Sequence, residues 1–171
     1  MSLTGCSYVV GGEAGYAHAF AEAPERSAAV ANGYAAFGAG DNHFGMGFGG
    51  SARVKASDAI GQFSIAPVVY LLAGEDLDGD GPRVAFFSWA GVDILTVESV
   101  ANQGSVSVGS PFIEAGCFVR LFGEWGFAPA LSFEDDVRFN GIPNTGYAMF
   151  TLGFFAMSYE GPHNPFAKAV R

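Results

Sequence analysis

The chain has 171 residues, half of them hydrophobic and only 15% charged, with a formal net charge of -9; that is long enough for one domain with a sizeable core, and no composition shift divides it. Its eight Lys and Arg residues are dispersed, which argues against a nucleic-acid partner, because phosphate binding needs clustered cations. A soluble domain usually carries about 25% charged residues, yet no apolar run approaches the ~20 residues of a membrane helix, so the apolar residues must recur with a shorter period.

That period is two, the signature of strands. In chain order, "GYAHAFAEA" from Gly15 is a weak candidate, and "SAAVANGYAAFGAG" from Ser27 is a second. Alanine would also allow a helix there, but the interposed glycines and the missing cap favour a strand. In "HFGMGFGGSARVKA" one face carries Phe44, Met46, Phe48, Ala52 and Val54, and the other Gly45, Gly47, Gly49, Ser51, Arg53 and Lys55. "GQFSIAPVVYLL" sets Phe63, Ile65, Pro67, Val69 and Leu71 against Gln62, Ser64, Ala66, Val68 and Tyr70. "RVAFFSWAGVDIL" sets Val84, Phe86, Ala90, Val92 and Ile94 against Arg83, Phe87, Trp89, Gly91 and Asp93. "SPFIEAGCFVRLFG" has one wholly apolar face, with Ile113, Cys117, Val119 and Leu121, and a mixed face with Glu114 and Arg120. "GFAPALSFEDDVRF" places Phe127, Leu131 and Phe133 opposite Ala128, Ala130, Ser132, Glu134 and Asp136, and "TGYAMFTLGFFAMSYE" ends the series.

This makes about eight strands. The gaps are turn material, "PER", "GDN", "ASD", "DLDGDG", "ANQGSVSVG", "GEW" and "NGIPN", and short links favour an up-and-down antiparallel order. The fold expected is all-β, a single antiparallel barrel over residues 15–160, with a flexible N-terminal segment 1–14 and a C-terminal tail 161–171. Pro67 and Pro129 fall inside strands of a closed barrel, so each demands a local bulge.

The mixed faces are too poor in charge to meet water. They suit a narrow barrel interior, where small residues make room and isolated charges pair, while the apolar faces meet lipid. The interior network is then expected to include Arg53, Asp93, Glu114, Arg120 and Glu134, with Lys55, Arg138 and Glu160 on the same faces; both signs are present, as burial requires. On the last strand Tyr147 and Tyr159 share a face, and twelve steps at ~3.3 Å, tilted by ~45°, rise roughly 28 Å, close to the ~25 Å band that aromatic girdles flank.

Over Tyr16 to Tyr159 this pattern resembles the small, roughly eight-stranded outer-membrane β-barrels of Gram-negative bacteria. The resemblance implies periplasmic termini, a barrel plugged by its own side chains, outer-membrane lipid as the partner, and a structural or loop-mediated role without catalysis. The chain departs from that group by continuing past the last strand with "GPHNPFAKAVR". The alternatives are a soluble, lipocalin-like barrel around a small apolar ligand, and a lipid-modifying outer-membrane enzyme. "LTGCS" resembles the lipobox of bacterial lipoproteins, which would make Cys6 a lipidation site; the basic start and apolar run that such a signal needs are absent upstream.

The motifs that could carry chemistry are few. "DLDGDG" matches the first half of a calcium loop through Asp76, Asp78 and Asp80, but the glutamate expected at position twelve is Phe87, so at most a weak calcium site is expected and no other cofactor. His18, His43 and His163 have no ligand spacing, which argues against zinc. An acyl-transfer site would need His, Ser and a carboxylate together; His18 with Glu22, and Ser132 with Glu134, read as inward-facing pairs.

Overall fold

A computed structural model of the chain describes residues 5–20, 27–40, 43–58, 60–74, 83–100, 103–107, 109–137 and 144–160. Every regular element among them is a strand: β1 (Gly5–Ala19), β2 (Ser27–Gly40), β3 (Phe44–Ala56), β4 (Ile60–Gly74), β5 (Val84–Val92), β6 (Leu95–Val100), β7 (Gln103–Ser107), β8 (Pro111–Phe122), β9 (Trp125–Asp136) and β10 (Thr145–Glu160). "SAAVANGYAAFGAG" is therefore the strand β2. The barrel starts at Gly5, inside the segment read as an N-terminal extension, and "ANQGSVSVG" is not all turn, because it holds β7.

All pairings are antiparallel, and the pairing of β3 with β4 closes the ring β1-β2-β3-β4-β5-β8-β9-β10. The remaining two segments continue ring strands. β6 pairs with the first half of β4 while β5 pairs with its second half, and β7 stands to β6 as β8 stands to β5, since Val92 opposite Pro111 and Thr96 opposite Ser107 keep one register. The wall thus has eight strands in up-and-down order, two of them kinked. Gly109 sits at one kink with φ 99°, a left-handed backbone that a side chain would strain; its N–H donates to the Asp93 carbonyl at 2.9 Å, and the Asp93 N–H donates to the Ser110 carbonyl at 2.9 Å.

The other kink answers Pro67. Between the pairs Val68–Gly91 and Ile65–Leu95, β4 contributes Ala66 and Pro67 while the opposite strand contributes Val92, Asp93 and Ile94. One extra residue opposite a proline is a β-bulge, which relieves the missing N–H. Pro129 behaves differently: the ladder between β8 and β9 omits the pairs at Cys117 and Phe118, yet Gly116–Ala130 and Val119–Phe127 stay in one register, and the shift comes later, between Arg120 and Phe122. Its missing donor is absorbed by a gap and not by a bulge.

Strict alternation sorts the side chains. Ile113 is 53% and Val119 38% exposed on β8, with the thiol of Cys117 half-buried between them, while Phe112, Glu114 and Phe118 point in. Among the strand residues whose side chains are described, Asp135, at one end of β9, is the one Asp, Glu, Lys or Arg on the outer face. The apolar face is therefore outside, the reverse of a soluble lipocalin-like barrel.

On β10 the expectation fails. Tyr147 is 1% exposed and lies inside with Met149, Thr151, Phe155 and Met157, whereas Phe150, Leu152 and Phe154 face out. Both faces of this strand are apolar, so periodicity cannot orient it. Register does, by setting Tyr147 opposite Glu134 and Thr151 opposite Ala130. The outward aromatics instead include Tyr8, Tyr16 and Phe20 on β1 and its continuation; Tyr8 and Phe20 are twelve steps apart, so the same ~28 Å rise holds on a different strand. Phe20 stacks on Phe133 at one end of the barrel, and Trp125 on Phe154 toward the other.

Candidate functional site

The barrel interior is built in two halves. Toward the end where β1 begins and β10 finishes, the termini end, it is filled by aromatic and aliphatic side chains including Tyr70, Phe87, Trp89, Phe118 and Phe155. Trp89 stacks on Tyr34 with ring centroids 4.6 Å apart and tilts against Tyr70 at 5.4 Å. The strands approach closely enough here that a Cβ on Gly38 or Gly47 would strike Tyr70, and one on Gly11 or Gly153 would strike Phe155. The glycines alternate with large rings so that the taper is filled. The Tyr70 hydroxyl is hydrogen-bonded to that of Ser7.

Toward the opposite, loop end the interior is charged. Arg53 pairs with Glu134, and Lys55 Nζ donates to Glu134 Oε1 at 3.2 Å and to Asp136 Oδ2 at 3.1 Å. Gln62 Nε2 donates to Asp136 Oδ1 at 3.3 Å. Arg53 also lies over the Phe112 ring at 4.3 Å and Lys55 over the Tyr147 ring at 3.9 Å, so each cation meets carboxylate on one side and π density on another. From Arg53 the network runs inward: its Nε donates to Asn32 Oδ1 at 2.8 Å, and Asn32 Nδ2 donates to Glu13 Oε1 at 2.6 Å. Thr151 donates to Glu13 Oε2 at 2.8 Å and Tyr34 to Glu114 Oε2 at 3.0 Å. Beyond Tyr34 the aromatic layer begins.

Of the residues expected in the network, Arg53, Asp93, Glu114 and Glu134 are buried in the interior, and Lys55 joins them. Arg120 does not: it is half-buried on β8 beyond Phe118, and its N–H donates to the Arg83 carbonyl at the termini end. Arg138 lies outside the described residues, and Glu160 ends β10 opposite Cys6, which also faces Ala39 of β2. Asp76, Asp78 and Asp80 likewise lie outside the described residues. His18 faces out, correcting the inward reading, and its Nδ1 lies 3.3 Å from the Ser27 hydroxyl; Ser132 is buried inside with Glu134. Sequence reasoning missed Glu13, Asn32 and Tyr34. Glu13 was hidden by starting the barrel ten residues late; Asn32 and Tyr34 share one face of the alternating segment read as β2, and that parity was the available signal.

Two grooves lined by described residues open on the wall, one around Phe48, Pro67, Val69 and Val92, the other around Ala14, Phe127, Leu152 and Phe154 and reaching Glu13 and Asn32. Among the described residues no group of three or more His, Cys, Asp or Glu could hold a metal ion.

A closed eight-stranded wall, apolar outside and lined inside by rings and ion pairs, defines the class: the fold is that of the small bacterial outer-membrane β-barrels. Neisserial surface protein A superposes with a TM-score of 0.57 at 13% identity, over 87% of this chain and 96% of its own. Ail, the attachment invasion locus protein of Yersinia pestis, solved with the heparin analogue sucrose octasulfate, gives 0.50 at 12% identity, over 91% of this chain and 99% of its own. At these identities the likeness is one of fold. No family model matches the chain, and no curated protein does.

Proposed function

We propose that the chain is an integral protein of a bacterial outer membrane, with its termini in the periplasm, and that its role is structural or carried by the loops at the opposite end, without catalysis. The observation that carries this reading is the outer face: an apolar belt with Phe48, Val69, Leu131 and Phe150 exposed has no place in water at this extent. The occupation of the interior by large rings at one end and by ion-paired side chains at the other supports a role outside the barrel. Against an enzyme stands the separation of the candidates, His18 outside and Ser132 inside.

The Ail complex with a sulfated sugar analogue suggests one comparison. Here the segments joining strands at the loop end carry Arg26 and Arg138 against Glu22, Glu25 and Asp58, a balance that disfavours polyanions. Immobilised heparin is expected to retain none of the refolded protein. Membrane fractionation tests the main reading: the chain is expected in the detergent-extracted fraction, and a monomer that stays soluble without detergent would overturn it.

A further inference from the structure

We draw no further inference here: the strongest candidate, the smooth patch of the outer wall where Gly12 and Ala14 of β1, Ala31 and Gly33 of β2 and Ala52 of β3 stand side by side, is an unpartnered face of small residues, and nothing in the structure shows what covers it.

Discussion

The two halves of the interior occupy one continuous wall and solve the same problem, filling a narrow barrel, by opposite means. The termini half buries Trp89, Tyr70, Phe87, Phe118 and Phe155 against glycines, so its stability scales with contact area and tolerates changes that preserve volume. The loop half buries Arg53, Lys55, Glu134 and Asp136 in mutual contact, so removing one member leaves partners stranded at a cost out of proportion to its size. The contrast teaches that the same alternating pattern, large or charged inward and apolar outward, can produce either a packed core or a polar lattice. What decides between them is which residues meet across strands.

The largest effect is expected where the lattice loses its hub. Glu134→Ala leaves Arg53 and Lys55 short of a partner and should cost about 3–5 kcal/mol in denaturant unfolding from lipid vesicles. Trp89→Ala, in the aromatic half, opens a cavity under Tyr34 and Tyr70 and should cost about 3 kcal/mol or somewhat more, with no change in salt dependence. On the wall between the two halves, Leu152→Arg puts a charge into the lipid belt and should cost roughly 2–4 kcal/mol, while Leu152→Ala is nearly silent. The smallest effect is expected from replacing a pair together: Arg53→Met with Glu134→Leu should lie far closer to the wild type than Glu134→Ala does. A double variant as damaged as the single one would erase the distinction between the halves.

How much of this was legible beforehand follows from the same physics. The strand faces at Phe44–Ala56, Ile60–Gly74 and Pro111–Phe122 read correctly because apolar and small or charged residues alternate there without ambiguity. The bulge at Pro67 was legible because proline lacks a donor, but the same reasoning expected one at Pro129, where the ladder has a gap instead. Tyr147 was misplaced because both faces of β10 are apolar, and only pairing with Glu134 of β9 decides its direction. The meeting of Glu13 and Glu114 at the Tyr34 hydroxyl was beyond reach for a related reason: the residues are distant in sequence, and no local period encodes which inward positions of β1, β2 and β8 stand at one height in a closed ring.

The chain's two tryptophans allow the central claim, an apolar wall in lipid around a filled interior, to be tested in one measurement. Trp89 is 1% and Trp125 41% exposed. With Trp125→Phe and Trp89→Phe as single-tryptophan variants in vesicles containing brominated acyl chains, the bromine should quench Trp125 and spare Trp89. Strong quenching of Trp89 with Trp125 unaffected would contradict the account.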